Sequence, residues 1–261
     1  MNKTHHSPLK LSVLMFLHGV LITAILFCVM MSNYENRLFD TIISQVTNAE
    51  MDQQTKALTL LDHTHDLLSA RAKIFNNVAR DSFRERFFAS TDVHLMDAKG
   101  ACGSYTGVLA RLLQRSGIDV RIAQMKCGEQ WGCHINLEAK LNGRYVALDP
   151  LYNLAFTRPD GELANYSEIG QDWQYYQSQT PDNYYAGYQY EDVRYTNWQK
   201  IPVIMPMIKA VLDKTLGDKA NTISIRSHLL SVYRNYALGL GFCYLLLLYI
   251  TVKFLRRKNR F

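Results

Sequence analysis

Two long uncharged stretches dominate the pattern of apolar and polar positions along the chain. Residues 11–31 carry no charge and are broken only by Ser12, His18 and Thr23. Residues 235–252 also carry none and centre on Leu245-Leu-Leu-Leu-Tyr-Ile250. A helix rises about 1.5 Å per residue, so runs of this length can cross a hydrocarbon core of roughly 30 Å. A cleaved signal peptide has a shorter apolar stretch of ~7–15 residues and ends in small residues. The first run instead ends Cys28-Val-Met-Met-Ser-Asn33, which predicts an uncleaved anchor. Ala237 and Gly241 form a small-xxx-small pair that is expected to touch the first helix.

Between the runs the pattern changes three times. Neither Gly nor Pro occurs between Gly19 and Gly100, so the stretch after the first run should be mostly helical. Leu38, Ile42, Ile43 and Val46 recur at helical spacing, as do Leu60, Leu61, Leu67 and Leu68. Residues 70–86 read as a further amphipathic helix with Ile74, Phe75, Val78 and Ala79 on one face. Residues 100–117 then read as a tight turn, a helix with Val108, Leu109, Leu112 and Leu113 as its buried stripe, and a Gly stop. Strands are predicted over 118–126, 133–140 and 144–148. The last two are joined by Asn142-Gly143, a strong hairpin signal. A helix followed by antiparallel strands is an α+β arrangement. Residues 153–234 differ again: rich in tyrosine, with Trp173 and Trp198, they are expected to wrap the core as an irregular extension whose rings pack over a small sheet. A helix is expected near 207–216, stopped by Gly217, and another over 223–234 running into the second apolar run.

Charge sharpens this picture. The chain has 29 Lys and Arg against 23 Asp and Glu, for a net charge of +6. Seven of the basic residues, Lys3 and Lys10 before the first run and Lys253, Arg256, Arg257, Lys258 and Arg260 after the second, account for all of the excess. The middle is close to neutral, which excludes nucleic acid as a partner, and the basic ends orient membrane segments instead. The expectation is a two-pass inner- or plasma-membrane protein with both termini cytoplasmic and its main domain periplasmic or extracellular. A composition of 48% hydrophobic and 20% charged residues excludes a disordered chain.

Three side chains carry the candidate chemistry. Cys102 stands where a helix begins, and unpaired N–H groups and the helix dipole favour a thiolate there. His134 falls on the second strand and Asp149 at the end of the third, so neighbouring strands can bring them into hydrogen-bond reach. A thiol nucleophile needs that pair: a base for its proton and an acid to orient the base. Cys127 and Cys133 flank residues 128–132 as the two sides of a hairpin loop and read as a structural disulfide in preference to two free thiols. A zinc site of Cys127, Cys133 and His134 lacks a fourth ligand. The cluster of Asp62, His63, His65 and Asp66 suits a solvated surface better than a metal, because i and i+2 point to different helix faces.

Gly100-x-Cys102, the helix ending Leu-Leu-x-x-x-Gly-Ile118, Val120-Arg121, His134 and Leu148-Asp149-Pro150 together resemble the transglutaminase-like superfamily. The resemblance covers 66–152. It implies a papain-like core, in which the helix bearing the cysteine packs on an antiparallel sheet between the two membrane helices. It also implies Cys102 as nucleophile, His134 as base and Asp149 as the orienting group; where members commonly carry a small residue and Trp after the histidine this chain has Ile135-Asn136, a departure that leaves Trp131 as the aromatic available near the site. The organisation expected is therefore a cytoplasmic segment (1–10), a transmembrane helix (11–31), a membrane-proximal helical segment (33–65), the transglutaminase-like core (66–152), the aromatic extension (153–234), a second transmembrane helix (235–252) and a basic tail (253–261). The expected activity is hydrolysis or transfer at amide bonds of a peptide, protein or cell-envelope substrate outside the cytoplasm, through a thioester and without metal or organic cofactor. The alternative is a non-catalytic envelope scaffold, for polysaccharide or wall assembly, that uses the same fold for binding.

Overall fold

The computed structural model describes residues 8–75, 89–99 and 101–258. The chain forms two compact units. One takes the two ends, up to Asn36 and from Ser231; the other is Arg37–Leu230.

In the first unit the absence of Gly and Pro after Gly19 has a direct consequence. Helix α1 runs unbroken over Pro8–Val46, well past the apolar run itself. The partner helix of this unit, Val232–Lys258, lies at the other end of the chain. Both are long and apolar enough to cross a membrane. They meet through His18, whose Nε2 lies 3.0 Å from Thr251 Oγ1 and whose ring is edge-on to Tyr244 at 5.3 Å. Gly241 does not make the expected contact: a Cβ there would meet nothing within 4 Å.

The second unit is α+β. Helix α2 (Gln53–Phe75), the short α3 (Thr91–Asp97) and α4 (Cys102–Arg115) pack on one face of a four-stranded antiparallel sheet. The strands are β1 (Val120–Cys127), β2 (Gln130–Leu141), β3 (Arg144–Leu148) and β4 (Gln189–Arg194), in the order β3-β2-β1-β4. Val108, Leu109, Leu112 and Leu113 of α4 are fully buried against Leu60 and Leu68 of α2, Phe39 of α1, and Ile122, Leu137, Ala139 and Leu148 of the sheet. Each such side chain contributes roughly 1.5–3 kcal/mol on leaving water. Asn142 (φ +51°) and Gly143 (φ +83°) turn β2 into β3 with two left-handed residues, the geometry that matches strand twist.

Alternation along the strands sends Ala123, Met125 and Ala147 to the other face. There they meet Phe156, Tyr166, Ile169, Tyr176 and Tyr190 in a second core. The expected wrap is irregular for most of its length over 153–203 but carries three short regular pieces. Two short helices, α5 (Tyr166–Gln171) and α6 (Trp173–Gln177), and the edge strand β4 cover this face, so the sheet continues across the boundary expected at 152 and 153. Strand β4 bonds β1 at Gln124 and Lys126. Farther along, Ser224 Oγ takes the place of a strand partner, accepting from Ile122 N–H and donating to Ile122 C=O, each at 3.0 Å.

Two helical expectations change. The helix predicted over 70–86 is the end of α2 as far as Phe75, with Ile74 exposed rather than packed; Val78 and Ala79 lie outside the described residues. Residues 223–234 do not form one helix. After α7 (Ile204–Leu216) and a 3-10 turn (Gly217–Thr222), helix α8 (Ile225–His228) ends at Leu229, and α9 (Val232–Lys258) starts anew. The break falls where Ser224 and Ser227 are held inside the fold.

Candidate active site

Cys102 is the first residue of α4, where backbone N–H groups have no intrahelical acceptor. Ala101 before it sits at φ +43°, ψ −129°, a left-handed conformation that costs a non-glycine residue about 1–3 kcal/mol. The burial of α4 over 103–113 holds that turn in place and leaves Cys102 half-buried.

His134 is completely buried on β2, and Asp149 is nearly so at the end of β3. Leu137 pairs with Leu148, so Asp149 follows on diagonally from His134 on the same face of the sheet. The His134 Nε2–H donates to Asp149 Oδ2 at 2.5 Å. Asp149 is itself anchored. Its Oδ1 accepts from Leu151 N–H at 3.2 Å, and its backbone exchanges bonds with Leu154 at 2.8 and 2.9 Å. The loop between them is held from α2. Asp62 Oδ1 accepts from Asn153 Nδ2 at 2.7 Å, and His65 Nδ1 lies 3.2 Å from Pro150 C=O. Part of the His/Asp cluster of α2 therefore braces the acid of the site. Among the described residues no group of three or more His, Cys, Asp or Glu is arranged to hold a metal ion.

Nε2 being committed to Asp149, Nδ1 is the nitrogen left over; it is buried and makes no hydrogen bond, while His134 and the Cys102 sulfur influence each other electrostatically. A loose arrangement of this kind is common before substrate binds. Burial pushes the Cys102 thiol up. His134 and the Ile135 N–H outweigh this, so the thiol titrates below its ordinary range. Burial pushes His134 down, but the Asp149 carboxylate and the Cys102 sulfur raise it to about 9. Both directions favour a thiolate–imidazolium pair. Thr106 Oγ1 donates to Ile135 C=O at 2.8 Å, tying α4 to the strand that carries His134.

The imidazole is roofed by tyrosines. Tyr188 stacks on it at 4.4 Å and 18°, and Tyr152 tilts against it at 5.8 Å. The two hydroxyls lie 3.3 Å apart. The Trp131 ring, the aromatic expected nearby, packs with the Arg194 guanidinium at 4.7 Å and the Lys126 ammonium at 5.8 Å. The ring that packs on His134 comes instead from the tyrosine-rich extension, and only the density of tyrosine there could have signalled it. Cys127 and Cys133 form a disulfide with Cα atoms 6.1 Å apart, closing the β1–β2 hairpin one residue before His134. Cys102 is a free thiol.

Farther along β2, Asn136 accepts from Tyr166 Oη–H at 2.6 Å. Glu138 accepts from Arg121 and Tyr195, both at 2.7 Å. An open cleft of about 710 Å³ lies over Glu138, Arg121 and Tyr195.

Comparison of the chain with protein-family models, with curated proteins and with solved structures gave no match.

Proposed function

We propose that the chain is a membrane-anchored, transglutaminase-like cysteine acyl hydrolase or acyltransferase that acts on amide bonds outside the cytoplasm. The observation that carries the reading is the buried His134–Asp149 hydrogen bond, with the remaining imidazole nitrogen left to a half-buried thiol at a helix N-terminus. In this reading the Cys102 thiolate attacks the amide carbonyl carbon, and the carbonyl oxygen becomes an oxyanion held by backbone N–H groups at the start of α4. The C–N bond breaks as His134 gives the leaving amine its proton, and a thioester remains on Cys102. Water or a second amine, deprotonated by His134, attacks the thioester and restores the thiolate. Asp149 keeps the imidazole oriented and stabilises its positive form. The two apolar helices and their basic outer flanks support a two-pass arrangement with both termini cytoplasmic.

Acyl transfer from p-nitrophenyl acetate tests the chemistry without knowledge of the natural substrate. The full chain should release a burst of nitrophenol and gain one acetyl mass at Cys102; Cys102→Ala and His134→Ala should show neither. An undiminished burst from Cys102→Ala refutes the proposal.

A second reading, a binding scaffold without catalysis, draws support from the tyrosine layer that shuts His134 from solvent. It expects Cys102 to alkylate no faster than an ordinary thiol at neutral pH.

A further inference from the structure

Among the described residues, α7 is a helix of 13 residues with no buried side chain. At 100° per residue Ile204, Met207, Ile208 and Val211 fall within one arc of about 100°, and Lys209 and Asp213, which form an ion pair, fall on the other side. The apolar side faces outward: Met207 is 64% exposed and Val211 63%. The approach to the helix continues the pattern. Ile201 and Val203 are exposed, and Val203 sits at φ +70°, a strained conformation for a β-branched residue, just ahead of the first turn. Lys200, Lys209, Lys214 and Lys219 outnumber Asp213 and Asp218 along the same stretch.

We propose that α7 lies in the membrane interface, with its apolar side among the acyl chains and its lysines at anionic headgroups. An outward stripe of Ile, Met and Val beside an ion-paired polar side is the composition of an interfacial helix. The occupant follows from the chain itself. Only residues 217–231 separate α7 from α9, a helix apolar enough to span a bilayer. So short a connection, folded for most of its length, keeps the helix close to any membrane that α9 crosses. Lysine-rich margins match an anionic lipid surface and repel an identical copy of the same helix. The inference rests on the membrane reading of α9 given above.

The test uses the full chain with Cys28→Ala, Cys102→Ser and Cys243→Ala, reconstituted in vesicles of phosphatidylcholine and phosphatidylglycerol. A nitroxide is carried in turn by Val211→Cys, Asp213→Cys and Leu245→Cys. Collision with oxygen, which concentrates in lipid, is compared with collision with a water-soluble nickel chelate. The label at 211 should favour oxygen as the label at 245 does, and the label at 213 should favour nickel. Equal nickel access at 211 and 213 overturns the proposal in favour of a water-facing helix. Shielding of 211 from both reagents overturns it in favour of a protein partner. If the label at 245 itself reads as aqueous, the membrane reading of α9 fails and the proposal falls with it. A lipid value at 245 beside an aqueous value at 211 refutes the interfacial helix alone.

Discussion

Replacing Asp149 with Asn removes a charge while leaving the shape of the site. The amide keeps an oxygen for Leu151 N–H, and the backbone pair with Leu154 is unaffected. What is lost is the carboxylate that opposes the effect of burial on His134. With it, the imidazole titrates at about 9; without it, the largest raising influence is gone and burial draws the group down. The thiolate is stabilised by that imidazolium, so its population at pH 7 should fall towards that of an ordinary thiol, roughly 30-fold below full ionisation. The assay is the second-order rate of Cys102 alkylation by iodoacetamide from pH 5 to 10, with Cys28→Ala and Cys243→Ala as background. The native site should hold a plateau that begins below the ordinary thiol range. Asp149→Asn should react slowly at pH 7, rise as an ordinary thiol does, and converge with the native rate near pH 10. Superposable profiles would refute the ion pair and the orienting role of Asp149 with it.

Alkylation and turnover should part company at high pH. The thiolate persists above pH 9 and alkylation continues, but the imidazolium that protonates the leaving amine is lost as pH rises through about 9, so kcat/KM for an amide should fall there. Tyr188→Ala should lower stability by about 2 kcal/mol in denaturant unfolding and speed the reaction of Cys102 with a bulky maleimide, whereas Tyr188→Phe, which keeps the stacked ring, should change neither appreciably. Reduction of the Cys127–Cys133 bridge should cost about 2 kcal/mol, the loop-closure value for so short a loop, read by unfolding with and without a phosphine reductant. A reporter active only in the cytoplasm should work when fused at residue 261 and fail when inserted near Asn48; activity at Asn48 would reverse the orientation.

The parts of the fold that were legible in the sequence are those set by local physics. The buried stripe of α4 follows from helical periodicity, and the β2–β3 turn follows from Asn142-Gly143, because both depend on neighbours within a few positions. Strand β4 does not. Gln189–Arg194 carries little apolar alternation, and what makes it a strand is the β1 edge at Gln124 and Lys126, far away in the chain. The break at 229–231 was hidden for the same reason: Ser224 is held by Ile122, a contact between distant residues that leaves no periodic trace. At the site, the order Cys102, His134, Asp149 and their elements could be read from spacing. Which imidazole nitrogen faces Asp149 could not, nor that Tyr188 rather than Trp131 covers the ring. Both are set by how the second core packs.

The position of β4 also bears on how the protein is made. Its hydrogen-bonding partner β1 is complete at Cys127, but β4 begins only at Gln189. At roughly 5–20 residues per second, translation leaves that edge of β1 open for roughly 3–13 s. For that interval the nascent chain presents an unpaired strand edge, which invites pairing with other chains. Over the same interval Cys102 and His134 have been synthesised but Tyr188 has not. The site therefore closes last, at about the moment β4 docks, so a chain halted before Tyr188 carries the thiol without its stacked ring and offers both an aggregation edge and an unguarded thiol to its surroundings.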